Sequence, residues 1–450
     1  MATRTKKLTE LNDKITEHMN VIMKCTTETK KYGKVLLASP PTSRYPYVYP
    51  RDTSCAVQLF RRLAGSSNDY DAREQAFEMM KNMACFMKDV MTDEGHWGQR
   101  YSLEGEDKSI YKQEDNVAHG IAIICNYLLT AKYLKRKVEN MEDFFACIGK
   151  ALDYSYKNLY EKELNLFYST TSVHESAMEE GYTCWVNFTF LYAYSLAYEV
   201  ATKKDKNNVI KPEYLSFRNQ FLYSVSELFM SGNRYIRRSD PDGRMDMRPD
   251  FTLLSPFYYG FLHYKQQMEN SVMFIEKQLW DPELGLMMRY LPYYKDFSTH
   301  VHAGNGPWLQ YSAILAQFHY WIGNRTRGDE ILDMIDKYKN ENGEIPEHLS
   351  TCQRFEEFME REWKTGIDFK KEFYKDILLD DVDFDKILEE ANNMHRSYET
   401  TGSKCIIRDD SISEGGYIQF AAPLMWSHAE YARALLVRSG DWWKVHKEEQ

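Results

Sequence analysis

Two adjacent carboxylates, Glu179 and Glu180, stand in the stretch SAMEEGYTCW, and a third, Glu347, follows a proline in NGEIPEHLS. Two acids from separate segments can cleave a glycosidic bond. One protonates the departing oxygen, and the other activates water or attacks carbon from the opposite face. In an inverting enzyme the two carboxyl groups lie about 6.5–9.5 Å apart, which leaves room for the water. Glu179 and Glu347 can face each other across a sugar, whereas chain neighbours cannot. Glu180 would serve differently: a second negative charge beside Glu179 disfavours its ionisation and keeps it protonated. Taken alone, the adjacent pair is also ordinary for a helix start, where the free N–H groups and the dipole favour acids.

Helices must position such groups here. Apolar residues recur at three- and four-residue spacing along most of the chain, and alternating strand patterns are rare. This predicts twelve helices, starting near Lys7, Asp52, Asp71, Gln113, Asn140, Thr183, Lys211, Thr252, Gln266, Pro307, Arg327 and Ala422. The sixth, tenth and twelfth (TCWVNFTFLYAYSLAYEVA, PWLQYSAILAQFHYWIG, APLMWSHAEYARALL) are apolar nearly all round, so several of their sides are buried. The odd-numbered helices, such as DAREQAFEMMKNMACFMKDV, keep one polar face. Alternating inner and outer helices fit an all-α ring of six helical hairpins. Inner helices then run parallel, and the loops entering them meet at one end.

Those loops hold the unusual residues. RYPYVYPRDTS carries Arg51 and Asp52, and EGHWGQRYSLEGEDKSIYKQED carries Trp97, Arg100, Gln113 and Asp115. SAMEEGYTCW, RMDMRPDFT, HAGNGPW and NGEIPEHLS supply the rest. Each has an innocent reading: Asp52 and Asp115 as first-turn acids, Arg51 as the partner of Asp52, Gly304 and Gly306 as turn residues. Brought to one end, they make a polar pocket with aromatic walls. Such walls suit sugar rings, which are apolar above and rimmed with hydroxyls.

The 450 residues carry a net charge of −10, without long runs of one sign, so nucleic acid and anionic membranes are excluded as partners. No stretch reaches the roughly 20 unbroken apolar residues of a membrane span, and the polar start lacks a secretory signal. The eight cysteines show no C-x-x-C pair and read as buried free thiols. A soluble, cytoplasmic chain is expected, with the sequons at Asn187 and Asn324 coincidental. The histidines show no ligand spacing, so neither a metal nor a cofactor is expected. The charge-rich stretch at about 351–404 reads as a helical insertion with a solvated face, and no linker divides residues 1–450 into domains.

In order, YVYPRD, WGQRY, QED, MEEG, GNGPW, PEH and PLMWSHAEY run from about Tyr45 to Leu436. Together they resemble the glucoamylase-like glycoside hydrolases of family 15 (glucoamylases, glucodextranases and trehalases). The resemblance implies an (α/α)6 barrel and an exo-acting, inverting α-glucosidase. Such an enzyme releases glucose from the non-reducing end of an α-glucan or α-gluco-oligosaccharide. It implies Glu179 as general acid, Glu180 as a neighbour touching substrate hydroxyls, and Glu347 as general base. Arg51 and Asp52 match the pair on the terminal glucose, Tyr45 a tyrosine near the catalytic water, and Trp308 a pocket wall. Trp97, Arg100, Gln113 and Asp115 fall in a matched pocket segment.

Departures are visible as well. Met178 and Tyr49 stand where tryptophans are common, and His348 replaces a glutamine after the base. Trehalase and isomaltose-type activities use the same acid and base. A non-catalytic sugar-binding module, as in the glucoamylase-like part of phosphorylase kinase, would need neither. Glu414 in SISEGGY is the rival base, and His428 and Glu430 read as satisfied polar groups in a buried helix. A homo-oligomer would cover barrel surface that an N-terminal β-sandwich covers in many prokaryotic relatives.

Overall fold

The computed structural model describes residues 2–66, 69–174, 180–203, 209–291, 306–358, 379, 385, 405–407 and 415–440. Most of the expected insertion at 351–404 therefore lies outside the described residues, as do Glu179, Gly304 and Glu414.

Twelve helices among the described residues build the frame. They are α1 (Ala2–Lys24), α2 (Pro50–Ser66), α3 (Tyr70–Val90), α4 (Asp115–Tyr133), α5 (Met141–Asn158) and α6 (Cys184–Lys203). The second half holds α7 (Pro212–Leu228), α8 (Ser255–Tyr258), α9 (Lys265–Leu279), α10 (Leu309–Trp321), α11 (Arg325–Lys337) and α12 (Met425–Ser439). A short helix, Cys352–Phe358, lies between the last two. The sequence explains the starts and faces. Pro50 occupies the first position of α2, where its missing N–H costs nothing. Asp69 caps α3 by accepting from the Asp71 and Ala72 N–H groups. Helix α3 then buries one stripe, including Ala76, Phe77, Met80, Met83, Ala84 and Met87. By contrast α4 is buried on every side from Asp115 to Ala131, and α12 from Met425 to Val437.

The even helices pack side by side in the order α2, α4, α6, α8, α10 and α12, with Phe257 of α8 edge-on to Phe318 of α10, and α12 returns to α2, closing the ring. Odd helices lie outside, each against the inner helix before it: α3 on α2, α7 on α6, α11 on α10 and α1 on α12. This is an (α/α)6 barrel. One expected helix is much shorter than its sequence suggests. The run from Thr252 forms a 3-10 turn, Phe251–Leu254, and then only the four residues of α8. The Asp250 side chain caps the turn through the Thr252 N–H, and Gly260, at φ +78°, turns the chain away just beyond α8.

Small antiparallel sheets join the loops at the entry end. The strands Tyr182–Thr183, Arg238–Ser239 and Met245–Asp246 lie before α6 and α8. The strand His348–Thr351 pairs with Tyr417–Phe420 before α12. That pairing corrects the cysteine expectation at one pair, because Cys352 and Cys405 form a disulfide. Thr351 and Ile406 both pair with Tyr417, which brings the two Cα atoms to 5.8 Å, a distance a disulfide can bridge. The other six cysteines are free, five of them buried. The bond removes one observation behind the cytoplasmic expectation. Asn187 is buried and bonded through its side chain to the Phe167 backbone, which leaves it closed to modification. No described helix is long and apolar enough to cross a membrane.

The outermost hairpin is pinned by two buried imidazoles. His18 Nδ1 of α1 lies 2.8 Å from His428 Nδ1 of α12, and His428 Nε2 accepts the Ile345 N–H at 2.8 Å. Both rings are neutral in the fold. Burial lowers His18 well below its ordinary value, with His428 and nearby lysines adding to it, and burial with Lys339 and Lys24 lowers His428 to about 3. The unfolded chain takes up these protons below pH ~6.5 and the fold does not, so acid favours unfolding. Stability should decline from pH 6.5 downward, by up to about 1.4 kcal/mol per pH unit for each imidazole. Urea melts at pH 7.5 and 5.5 would show it, and His18→Phe, with one titrating ring fewer, should flatten the decline.

Candidate active site

At the entry end, Arg51 is the first arginine of α2 and points inward. Its Nε lies 3.3 Å from Asp115 Oδ2 on the first turn of α4. Its Nη1 and Nη2 donate to the backbone carbonyls of Val173 and Ser172 at 3.2 and 3.3 Å. The same Asp115 oxygen accepts the Trp185 indole N–H of α6 at 3.0 Å, with His119 Nε2 at 3.5 Å. Burial opposes the charge of Asp115, but Arg51 and His119 outweigh it and hold the carboxyl far below the usual range. Asp115 is fully buried and meets Arg51 and Trp185 rather than solvent.

Trp97 requires a correction. It is 2% exposed, its indole N–H donates to the Met87 carbonyl at 2.8 Å, and its ring lies against Gly120 of α4. A Cβ on Gly120 would come within 2.3 Å of that ring, so Trp97 cements α3 to α4 and does not line a pocket. Gln113 is buried too, its Oε1 accepting from Asn116. Arg100 donates to the Lys108 carbonyl at 2.7 Å and lies over the Tyr47 ring.

Glu347 is held from three directions. Its backbone N–H donates to the Phe420 carbonyl, and its own carbonyl accepts the Leu309 N–H. Its carboxylate Oε2 accepts from the Tyr45 hydroxyl and from His348 Nδ1, both at 3.2 Å. The other oxygen, Oε1, has no hydrogen-bond partner among the described residues, and the side chain is 13% exposed. Burial would raise the Glu347 pKa, but the His348 hydrogen bond together with Arg44 and Arg289 brings it below the ordinary value. The group is a carboxylate with one oxygen fixed and the other open. His348, where the resemblance has glutamine, remains a donor to it. Its ring lies flat between Trp308, at 4.7 Å, and Phe420, at 4.4 Å.

A ladder of rings links the two regions. His174 meets Phe251 edge-on, Phe251 stacks on Tyr311 at 3.5 Å, and Tyr311 stacks on Trp308 at 5.7 Å. Burial, more than the charges of Arg289, Arg51, Glu347 and Asp52, raises the Tyr311 hydroxyl well above its ordinary value. Sequence reasoning missed Arg289, whose guanidinium lies over Trp308 at 4.3 Å and donates to the Tyr290 hydroxyl. Its only sequence signal is a lone charge in the apolar run LGLMMRYLPYY.

The segment bearing Glu179 has anchored stems. Ser169 and Gly181 exchange backbone hydrogen bonds at 2.9 and 3.0 Å, and Ser172 Oγ lies 3.0 Å from Thr183 Oγ1. Glu180 is exposed, and its carboxylate accepts from the Tyr168 hydroxyl. His428 and Glu430 are satisfied polar groups of a buried helix, as read from the sequence: both are buried, and Glu430 accepts from Tyr258, Gln317, Trp426 and Arg433.

No family model matches the chain, and no curated protein matches it. Solved structures do resemble it. A wild-type glycosidase matches with a TM-score of 0.59 at 14% identity over 97% of this chain and 98% of the other. A variant glycosidase in complex with glucose matches with a TM-score of 0.61 at 14% identity over the same shares, 97% and 98%. The glucoamylase of Saccharomycopsis fibuligera matches with a TM-score of 0.58 at 14% identity over 96% of this chain and 95% of its own. The fold is therefore that of the glucoamylases.

The strand that follows Glu347 depends on one close approach. A Cβ on Gly306 would lie 1.7 Å from the Leu349 carbonyl oxygen, beside the Leu349–Pro307 hydrogen bond. Gly306→Ala must push the Trp308 strand off the Glu347 strand. A loss of about 1–3 kcal/mol is expected in thermal melts, and an unchanged melting temperature would refute the close approach.

Proposed function

We infer that the protein is an inverting glycoside hydrolase that releases glucose from the non-reducing end of α-glucosides. The observation that supports this most is Glu347. An ionised carboxylate, with one oxygen fixed by Tyr45 and His348 and the other open, suits a base that activates water. The aromatic ladder ending at Trp308, with Arg289 over that ring, suits a pyranose beside Glu347. Among the solved neighbours, a glycosidase variant holds glucose and a bacterial glucoamylase holds acarbose.

In this reading Glu179 protonates the glycosidic oxygen and Glu347 takes a proton from the water that attacks the anomeric carbon. Arg51, fixed by Asp115, and Asp52 hold the hydroxyls of the terminal glucose. Trp308 forms a wall, Glu180 contacts substrate hydroxyls, and Arg100 and Gln113 border the pocket from the loop before α4. The substrate is neutral, and no nucleic acid, membrane or cofactor takes part.

Hexose release from maltose, isomaltose, trehalose and soluble starch, with product anomers followed by proton NMR, tests this. β-Glucose should appear first from one substrate. Glu179→Gln and Glu347→Gln should each lower turnover about a thousandfold and leave sugar binding intact. α-Glucose as first product would overturn inversion, release from trehalose alone would assign a trehalase, and no release from any sugar would reject the hydrolase.

A further inference from the structure

The segment 345–347, which delivers Glu347, is gripped along its backbone by the start of α12. The Ile345 carbonyl accepts the Leu424 N–H at 3.0 Å, and the Pro346 carbonyl accepts the Ser427 hydroxyl at 3.0 Å. Pro346 has no N–H, and the Glu347 N–H is taken by the Phe420 carbonyl at 2.9 Å. The remaining donor, the Ile345 N–H, goes to a side chain: His428 Nε2 accepts it at 2.8 Å. Ile345 and His428 are both fully buried, so water cannot take the place of the ring.

This contact fixes the protons of two rings. An N–H only donates, so His428 Nε2 must present a lone pair. Burial, with Lys339 and Lys24, lowers His428 to about 3, so the ring is neutral and its one proton sits on Nδ1. That Nδ1 lies 2.8 Å from Nδ1 of His18 on α1, which must then accept. His18 is also neutral, chiefly through burial, and its proton sits on Nε2. Lys339 Nζ, another donor, stands 3.4 Å from that Nε2. The mismatch falls where it is tolerated, because Lys339 is partly exposed and pairs with Asp336 at 2.7 Å. The reverse arrangement, with protons on His428 Nε2 and His18 Nδ1, would set two donors face to face at the buried Ile345 backbone. Stacking on Tyr431 at 4.3 Å holds the His18 ring in place.

We propose that His18 and His428 are positioning residues for the base: by accepting the Nδ1 proton of His428, His18 keeps Nε2 open to the Ile345 N–H and so fixes the segment that carries Glu347. The proposal rests on the reading of Glu347 as the base. It makes α1, on the outside of the barrel, part of the framework that aims the carboxylate.

α-Glucosyl fluoride isolates the base, because fluoride departs with the bonding electron pair and needs no proton. The water oxygen bonds to the anomeric carbon, and one water proton passes to Glu347. The experiment compares wild type, His428→Phe, His428→Gln and His18→Phe on this substrate and on the best sugar of the panel, with thermal melts alongside. His428→Phe removes the acceptor and should lower kcat about tenfold on both substrates, with KM within about threefold. The glutamine amide oxygen can stand where Nε2 stands, so His428→Gln should stay within about threefold of wild type. His18→Phe leaves the Nδ1 proton of His428 without an acceptor and should lower kcat at least about threefold on both substrates. Nitrogen NMR shifts of isotope-labelled histidine report the tautomer. Wild type should show a neutral ring protonated at Nδ1 whose signal is absent from both His428 variants.

A His428 ring protonated at Nε2 or at both nitrogens would overturn the proposal. So would a His428→Phe variant as active as wild type, a glutamine variant no better than phenylalanine, or a loss confined to the sugar. If His428→Phe does not fold, the wild-type tautomer and the kcat of His18→Phe decide in the same way. A wild type active on both substrates with unaffected variants defeats the proposal alone. A wild type inactive on the whole panel and on the fluoride defeats the hydrolase reading and the proposal with it.

Discussion

The entry end of the barrel is organised by one buried ion pair, Arg51 with Asp115. Taking a guanidinium and a carboxylate out of water costs several kcal/mol per ion, and their attraction alone does not reliably repay it. The pair persists because every loop around it contributes. Ser172 and Val173 supply carbonyls to Arg51, and Trp185 supplies an indole N–H to Asp115. Three elements are thereby tied together: the first turn of α2, the first turn of α4 and the chain leading into α6. Removing either partner would leave an uncompensated charge, a loss of about 3–5 kcal/mol. The pair is possible only because inner helices run parallel, so that their first turns meet.

The opposite side of the site is held by different physics. Glu347 sits where two strands meet, and its backbone is hydrogen-bonded to Phe420 on one side and Leu309 on the other. Stacked rings then carry rigidity across the floor, from Phe420 through His348, Trp308 and Tyr311 to Phe251. Offset stacking adds about 0.5–1.5 kcal/mol per pair beyond area burial, so the ladder resists shear between the two halves. A site built this way fixes Glu347 with backbone hydrogen bonds and Arg51 with charge.

Much of this was legible in the sequence, and the exceptions share a cause. Periodicity located eleven of the twelve frame helices and separated inner from outer, because burial on every side leaves α4 and α12 without a polar face. It failed at α8, where an apolar run looked helical but a capped 3-10 turn and Gly260 cut it short. Trp97 lies in a motif full of pocket-like residues, and only its contact with Gly120 on another helix reveals a core role. The Cys352–Cys405 bond depends on two strands sharing Tyr417, which no spacing encodes. Local pattern reads what a helix does to its own residues. It cannot read a contact made across the barrel, and Arg289 and His174 acquire their meaning only there.

The histidines around the site show why the charges stay where they are. His119, His174 and His348 each face a carboxylate, which favours the protonated ring, and in all three burial wins and lowers the pKa. Each is therefore a neutral ring, and in His174 and His348 the hydrogen-bonding direction is set by the acid beside it. Asp115 and Asp250 are likewise locked as anions by arginine. Near neutral pH none of these groups changes charge, and the pocket's field is constant.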